Sequence, residues 1–435
     1  MGTTFFAPET QCRTSVIVLY ILKISFREVI HMHIGINAQL LSFSQNYRNG
    51  GISRYIRYLL AGLANRPGPH EYTIFVNGQN VIDHLSDVAG KDVTGRPGQT
   101  QITFVPEPWS ESRPISRVVW EQMKLPGLLR EKRIDVFHSP ANVLPERLSP
   151  DCATIVTLHD LAFLRYPHVL TRSKRLYHRT FTMHSLQRAT MIIANSNSTR
   201  QDAIELAGIP ANHIRMVYPC IDERFSNVIL DEELESFRKA QGLTNGYLLY
   251  LGTLEPRKNI TTLIEAYAHL RNIYNRVEKL VLVGSKGWLF DSIFQRVHEL
   301  DLDSEVLFPG FVSDSEQLFW YHAASAFVYP SLYEGFGMPV TEALACGIPV
   351  VTSNVSSLPE AGVKLALTVD PHDSEAMARA MNKTLTSEPL RRECQTQAEK
   401  VRQQFSEQRM AEQTVDVYEQ SAALHAARHL KMSVS

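Results

Sequence analysis

The amino-acid sequence predicts an α/β protein built from two doubly wound domains. Its 435 residues are more than a single hydrophobic core usually serves. Short apolar strand signals alternate with helical signals, which is typical of parallel sheets covered by helices on both faces. A polar and largely helical stretch at residues 227–245 divides this alternation into two series. We therefore expect two domains joined by a linker.

The first series predicts an N-terminal Rossmann-like domain over residues 32–226. A glycine loop at Gly51 follows its first strand and leads into a helix over Ser53–Leu63. Asn195-Ser196 precedes a later helix that reaches Leu206, and these two residues can cap its N-terminus. The strands are predicted at Ile34–Asn37, Tyr72–Val76, Ile102–Val105, Asp135–Phe137, Thr154–Leu158, Met191–Ala194 and Ile214–Val217.

The second series predicts a nucleotide-binding domain over residues 246–405, followed by a C-terminal helix at 406–435 that packs back toward the first domain. Open parallel sheets bind ligands beyond the carboxyl ends of their strands, so we expect the ligand to lie in the cleft between the domains. The strands are predicted at Tyr247–Leu251, Lys279–Val283, Val306–Phe308, Ala326–Tyr329, Pro349–Thr352 and Ala366–Val369.

Composition argues against several classes of partner and site. The formal net charge is −1, which gives no electrostatic reason to expect nucleic acid as a partner. The five cysteines are far apart and form no Cys-x-x-Cys pair, so we expect reduced thiols in a cytoplasmic protein and neither disulfides nor a zinc site. They are Cys12, Cys152, Cys220, Cys346 and Cys394.

The first 31 residues differ from the rest of the chain. An apolar run from Ser15 to Leu22 is interrupted by Lys23, and it is too short to cross a bilayer as a helix. No signal-peptide cleavage site follows it. We interpret residues 1–31 as a leader outside the domains, and the alternative is a weak membrane anchor.

The most informative segment runs from Glu334 to Ala343 and reads E-G-F-G-M-P-V-T-E-A. It joins an apolar strand to a short helix. Gly335 and Gly337 let the backbone approach a ligand closely, and the helix N-terminus offers amides to phosphate. Glu334 and Glu342 bracket this loop with carboxylates that can accept hydrogen bonds from sugar hydroxyls. We place Glu342 in the first helical turn.

This string resembles the Glu-x7-Glu signature of retaining glycosyltransferases of family 4, which have the GT-B fold of two Rossmann-like domains facing across a cleft. The resemblance implies that Glu334 holds hydroxyls of the donor sugar and that Glu342 holds the nucleotide ribose. It also places Gly335, Phe336 and Gly337 among the donor-binding residues, and it implies that the first domain binds the acceptor.

Arg257 and Lys258 follow the first strand of the second domain, in the run L-G-T-L-E-P-R-K-N that includes Gly252. A guanidinium and an ammonium at this place can bind a diphosphate. The loop resembles the pyrophosphate clamp of the family, although Thr253 stands where some members carry another arginine. Because these cations can do the work of a metal, we expect no metal and no other cofactor.

Four further residues are weaker candidates at the same site. Gly284 ends the second strand of its domain, Val312 follows the third, where the family packs a nucleobase, and Gly51 resembles the glycine loop of the family. His159 ends a buried strand in T-L-H-D, and it resembles the histidine near the transferred sugar. The sequence Asp301-Leu302-Asp303 matches a metal motif of another glycosyltransferase fold, but its place predicts a polar turn.

The resemblance implies transfer of a hexose from a nucleotide-sugar to a saccharide or lipid-linked acceptor in the cytoplasm, including the inner face of the membrane with peripheral membrane contact. Together with the run W-E-Q at residues 120–122, the motifs look most like bacterial mannosyltransferases of surface-polysaccharide assembly, with GDP-mannose as donor. The alternatives are a sugar-nucleotide epimerase of the same architecture and a non-enzymatic two-domain sugar-binding protein.

Overall fold

A computed structural model describes residues 31–43, 50–89, 100–107, 114–166, 172–287 and 290–434. Apart from His31, the predicted leader lies outside the described residues. The same holds for parts of the first-domain loops near residues 44–49, 108–113 and 167–171.

The first domain contains a sheet of seven parallel strands in the order β3-β2-β1-β4-β5-β6-β7. The order reverses between β1 and β4, which is where a doubly wound sheet opens a crevice for a ligand. The strands are β1 (His33–Ala38), β2 (Glu71–Val76), β3 (Gln101–Pro106), β4 (Val136–Ser139), β5 (Ala153–Leu158), β6 (Met191–Ala194) and β7 (Ile214–Met216).

Helices cover both faces of this sheet, with one apolar core on each face. The inner strands are buried almost throughout, as expected for a parallel sheet between helical layers, whereas the edge strands β3 and β7 are partly exposed. The helices are α1 (Gly51–Ala64), α2 (Gln79–Ala89), α3 (Pro114–Met123), α4 (Leu125–Glu131), α5 (Ala162–Arg165), α6 (Arg172–Tyr177), α7 (Met183–Arg188) and α8 (Asn197–Ala207).

The second domain follows helix α9 (Asp231–Ala240) and has six parallel strands in the order β10-β9-β8-β11-β12-β13. Its order reverses between β8 and β11. The strands are β8 (Tyr247–Leu251), β9 (Lys279–Val283), β10 (Val306–Gly310), β11 (Ala326–Tyr329), β12 (Val350–Ser353) and β13 (Leu367–Val369). The helices are α10 (Ile260–Tyr274), α11 (Asp291–Glu299), α12 (Asp314–His322), α13 (Met338–Ala345), α14 (Leu358–Ala361), α15 (Ser374–Thr386) and α16 (Glu388–Gln404).

The last helix, α17 (Glu407–Val434), returns to the first domain. Val415 and Tyr418 are fully buried in one of the first-domain cores. Helix α1 packs so closely here that a Cβ atom at Gly62 would lie 2.7 Å from the carbonyl oxygen of Glu407. The C-terminal helix therefore belongs to the core of the first domain as well as to the end of the chain.

The four cysteines in the described part of the chain are all free thiols, and burial raises the pKa of Cys152 to about 12. They therefore stay protonated near neutral pH. None of the described helices combines the length and apolar character that a membrane crossing requires.

The start of α17 predicts a pH-dependent stability. Burial, reinforced by Glu223 and Asp222, raises the pKa of Glu407 to about 7. The folded state therefore binds this proton more tightly than the unfolded chain does. As a result, the free energy of unfolding decreases as pH rises from the pKa of the unfolded glutamate through about 7. We expect Glu407→Gln to raise the melting temperature by a few degrees at pH 8 and to change it little at pH 5. The exposed Glu412→Gln is the matched control, and a gain of equal size at both pH values would contradict this assignment.

Candidate active site

Arg257, Lys258 and Glu334 form a buried ion cluster at the carboxyl edge of the second sheet. The cations lie in a 3-10 turn, Pro256–Lys258, shortly after β8, and Glu334 lies in the loop after β11. Lys258 Nζ is 2.6 Å from Glu334 Oε1, and Arg257 Nη1 is 2.9 Å from Glu334 Oε2. The other side of the guanidinium binds Glu255 at 2.8 Å. The structure thus brings three of the four predicted catalytic residues into direct contact.

Burial and charge act in opposite directions on Glu334. Burial alone would raise its pKa, but the charges of Arg257 and Lys258 outweigh this and lower the pKa to about 2. The carboxylate is therefore ionised throughout the physiological range and does not act as a general acid. Burial lowers the pKa of Lys258, although Glu334 opposes that change.

Several hydrogen-bond donors of this cluster have no partner in the part of the chain that the structure describes. Lys258 Nζ has three N–H groups and uses two, toward Glu334 and the hydroxyl of Tyr329. Arg257 binds Glu255, Glu334 and the carbonyl of Tyr333, which leaves Nε and one hydrogen of Nη2. These remaining donors can bind the oxygens of an anionic ligand.

The loop between Glu334 and α13 presents backbone amides beside the ion cluster. The amides of Gly335, Phe336 and Gly337 donate no hydrogen bond to the described residues. Gly337 has φ 104°, which favours glycine, and it stands at the N-cap of α13. Free amides at the start of a helix form an anion-binding site.

The position predicted for Glu342 is wrong by one turn. Helix α13 begins at Met338, because Pro339 suits the first turn of a helix, where its missing N–H is not needed. Glu342 is consequently the fifth helical residue and is 2 % exposed. Its carboxylate accepts a hydrogen bond from Tyr321 at 2.8 Å and lies 3.5 Å from Arg54 of the first domain.

Sequence reasoning missed Arg54. It lies on α1, three residues after the glycine loop at Gly51, and it also binds Asp314 at 2.8 Å and Gln317 at 3.0 Å. The guanidinium therefore connects the first domain to α12 and α13 of the second. The only local signal for Arg54 was its position three residues after Gly51. Its partners lie more than 250 positions away along the chain, so local sequence could not predict them.

His159 lies at the carboxyl end of β5, facing the second domain. Its Nε2 is 2.9 Å from the carbonyl oxygen of Pro140, so Nε2 carries the proton and Nδ1 is an acceptor. The ring also packs edge-on against Tyr55, with centroids 5.0 Å apart. Burial lowers the pKa of His159, so the imidazole is neutral near pH 7.

The two domains meet at His159 and Gly335. A Cβ atom on Gly335 would lie 1.8 Å from the carbonyl oxygen of His159, which only glycine permits. Thr199 of α8 donates a hydrogen bond to the carbonyl of Gly335 at 3.1 Å. The predicted sugar-binding histidine and the predicted donor loop are therefore neighbours across the cleft.

The glycines Gly252 and Gly284 lie together at the ends of β8 and β9. Gly284 has φ 150°, and a Cβ atom on it would lie 1.9 Å from the carbonyl oxygen of Gly252. Their close packing gives both glycines a structural reason. Gly51 differs, because a Cβ atom there would meet nothing within 4 Å.

The side chains of Phe336 and Val312 belong to the core of the second domain and do not line the cleft. Phe336 packs against Tyr218 and Phe405, with ring centroids 5.5 and 5.4 Å away. Val312 is 7 % exposed, whereas the neighbouring Phe311 is 49 % exposed. A donor would thus contact the backbone at both positions, and Phe311 is an additional candidate for contact with a nucleobase.

The Asp301-Leu302-Asp303 sequence forms a turn between α11 and β10, at the opposite edge of the sheet from the ion cluster. Asp303 is 3.2 Å from His298, and both are exposed. Within the described ranges, no group of three or more His, Cys, Asp or Glu side chains has an arrangement that could hold a metal ion.

Two family models match most of this chain. Residues 49–225 match the model for Glycosyltransferase Family 4, and residues 231–401 match the model for glycosyl transferases group 1. The chain belongs to glycosyltransferase family 4. The resemblance inferred from the Glu-x7-Glu string is thereby confirmed, and the protein is a glycosyltransferase.

Two curated relatives have names that specify mannose. The chain is 30 % identical to the O-antigen chain mannosyltransferase B of Escherichia coli over 371 residues, which are 85 % of this chain and 95 % of the relative. It is 28 % identical to the serotype-specific mannosyltransferase WbdA of Escherichia coli over 84 % of this chain. That second match spans 45 % of WbdA, less than half of its length.

Solved structures confirm the predicted fold class. The HepE protein of Anabaena, in complex with UDP and glucose, has a TM-score of 0.65 at 18 % identity and covers 90 % of this chain and 100 % of its own. WaaG, a glycosyltransferase involved in lipopolysaccharide biosynthesis, has a TM-score of 0.63 at 18 % identity. The match covers 88 % of this chain and 99 % of WaaG. At these identities the likeness concerns the fold.

The ion cluster predicts a large stability effect of Lys258→Met. The substitution removes one cation and leaves Glu334 buried with Arg257 as its remaining charged partner, and breaking a buried pair costs about 3–5 kcal/mol. We expect the free energy of unfolding, measured by urea denaturation, to fall by an amount of that order. Lys239→Met, on exposed helix α9, is the control. Equal stabilities of the two variants would show that the cluster is not a buried ion pair in solution.

Proposed function

We propose that this glycosyltransferase moves mannose from GDP-mannose to a saccharide or lipid-linked saccharide acceptor, with retention of anomeric configuration, in cell-surface polysaccharide assembly. The observation that carries the proposal is that Arg257 and Lys258 bind Glu334, that the partner-free amides of residues 335–337 follow it at the start of α13, and that the His159 carbonyl lies against Gly335. Mannose is proposed because two relatives with that activity in their names align with most of this chain.

Charge supports the diphosphate part of this proposal. When the bond between the anomeric carbon and the phosphate oxygen breaks, negative charge develops on the leaving diphosphate. The remaining donors of Arg257 and Lys258 and the amides at the start of α13 suit that charge without reorganisation. Glu255 and Glu334 already balance the two cations in the free protein. The amides are therefore as important to the site as the cations.

Retention is proposed to follow a same-face route. Glu334 is ionised, but both of its oxygens accept hydrogen bonds from cations, which makes it a poor nucleophile toward carbon. In the same-face route the acceptor hydroxyl oxygen forms the new bond to the anomeric carbon. The departing phosphate oxygen takes the acceptor proton. Glu334 then serves to hold hydroxyls of the donor sugar.

His159 is proposed to accept a hydrogen bond from a hydroxyl of the transferred sugar. Its Nε2 proton is engaged by Pro140, so the neutral ring offers Nδ1 as an acceptor. The backbone carbonyl of His159 lies against Gly335, in the loop that is proposed to bind the donor, and this proximity supports the proposal. Asp160 follows it in the chain, and its carboxylate interacts with Arg257 across the cleft.

We propose that no metal or other cofactor is needed and that the protein acts in the cytoplasm, where nucleotide-sugars are made, or at the inner face of the membrane where a lipid-linked acceptor is presented. The unused N–H donors of Arg257 and Lys258 and the amides of the 335–337 loop support the first point, since they can bind the oxygens of a diphosphate without a divalent ion. The second rests on the names of the O-antigen relatives.

The proposal is tested by incubating the protein with a panel of nucleotide-sugars, with and without a strong chelator. We expect slow release of GDP from GDP-mannose and survival of this activity in the chelator. Lys258→Ala should lower turnover roughly a hundredfold or more, because it removes one preorganised charge donor, while the exposed Lys239→Ala should not. New nucleotide-sugar in place of free GDP would indicate an epimerase. Loss of activity in chelator that added magnesium restores would overturn metal independence.

The two carboxylates are expected to act differently. Glu334→Gln should mainly lower kcat, because sugar contacts near the reacting carbon count most in the transition state. Glu342→Gln should mainly weaken binding of GDP, measured by titration calorimetry. Loss of a charged hydrogen bond corresponds to about a 10- to 100-fold change in each case. Equal weakening of GDP binding by both variants, with kcat unchanged, would refute these roles.

A further inference from the structure

A turn of the second domain that contains Ser356 and Ser357 forms hydrogen bonds with the backbone of the 334–337 loop. The hydroxyl of Ser357 lies 2.9 Å from the carbonyl oxygen of Glu334 and 2.8 Å from that of Phe336. The hydroxyl of Ser356 accepts a hydrogen bond from the amide of Glu334 at 3.1 Å. Ser356 has φ 52°, a left-handed conformation that is costly for serine. The turn is thus kept in a strained conformation that fits the loop.

Glu360, in the short helix that follows this turn, reaches into the first domain. Its carboxylate oxygens accept hydrogen bonds from the backbone amides of Asn197 and Ser198, each at 2.8 Å, and from the hydroxyl of Tyr218 at 3.2 Å. These amides are the first two of helix α8. A carboxylate of one domain therefore caps a helix of the other, where charge and helix dipole attract each other.

The capped end of α8 is also the part of the first domain that contacts the donor loop. Thr199, one residue after the capped amides, donates to the carbonyl of Gly335. The carbonyl of His159 contacts Gly335 at the same place. Glu360 thus forms a second connection between α8 and the second domain, beside the contact of His159 with Gly335. It lies in the helix that directly follows the turn of Ser356 and Ser357.

We propose that Glu360 is a positioning residue for sugar transfer: it fastens α8 to the turn behind the donor loop and thereby holds the cleft closed with His159 over Gly335. Its role in the reaction rests on the proposed function, whereas its effect on closure does not. Glu360 touches neither the ion cluster nor the free amides. Binding of a nucleotide diphosphate to the second domain should therefore be independent of it.

The test compares Glu360→Ala and Glu360→Gln with wild type. The control is Glu388→Ala, which removes a carboxylate from the first turn of α16 whose partners, Arg391 and Arg392, lie on the same helix. Five quantities are measured: the radius of gyration without ligand by X-ray scattering, the melting temperature, the Kd for GDP by calorimetry, and kcat and KM with GDP-mannose.

We expect Glu360→Ala to increase the radius of gyration and to lower kcat at least tenfold, with the Kd for GDP within twofold of wild type. Glu360→Gln should give a radius of gyration and a kcat between those of Glu360→Ala and wild type. The amide oxygen of glutamine can still accept a hydrogen bond from one of the two N–H groups. A lower melting temperature with unchanged kcat and unchanged radius would mean that Glu360 only stabilises the fold, and would overturn the proposal.

The scattering result separates this inference from the proposed function. If wild type neither binds GDP nor releases it from GDP-mannose, the proposed donor is wrong. Expansion of the Glu360→Ala variant in the absence of ligand would still support the interdomain contact. An unchanged radius would overturn it.

Discussion

Two cations are buried at the end of the first strand of the second domain, and much of the cleft is arranged around them. A buried charge is stable only with a partner of opposite sign and with hydrogen bonds for its remaining donors. Glu255 and Glu334 are those partners for Arg257 and Lys258. Because Glu334 must reach both cations, the loop after β11 is fixed above the end of β8, and α13 begins immediately beyond it.

The same arrangement fixes the loop between Glu334 and α13. The carboxylate of Glu334 binds the two cations, and its backbone forms hydrogen bonds with Ser356 and Ser357. The amides of residues 335–337 are left without partners among the described residues, and they follow directly in the chain after Glu334, which binds both cations. The site is therefore electrostatically preorganised for an anionic group before any ligand binds.

The first domain contributes through a small number of contacts that depend on how the domains dock. Tyr333 of the second domain inserts its hydroxyl between Asp202, at 2.7 Å, and the amide of Leu161, at 3.2 Å. Arg54 joins α1 to Glu342 and Asp314. Gly335 matters for docking as well as for ligand access, since any side chain there would collide with His159.

The sequence by itself determined the elements and the family. The runs Met191–Ala194, Tyr247–Leu251, Lys279–Val283 and Ala326–Tyr329 coincide with the observed strands. Ser196 caps α8 through a hydrogen bond from the amide of Thr199. These features depend on neighbours within a few residues, where apolar runs and cap residues act directly. The signature loop was equally local, and the family matches confirm the family resemblance that it carried.

Only the tertiary structure decided which of these residues meet. It placed Phe336 in an aromatic core, moved Glu342 one turn into α13 and brought Arg54 to it from 288 positions away. It also brought Glu360 to the end of α8 across 163 positions. Such contacts join groups that lie far apart in the chain, several of them in two domains with separate cores. Their geometry is set by the docking of the domains, which local propensity and motif spacing do not encode.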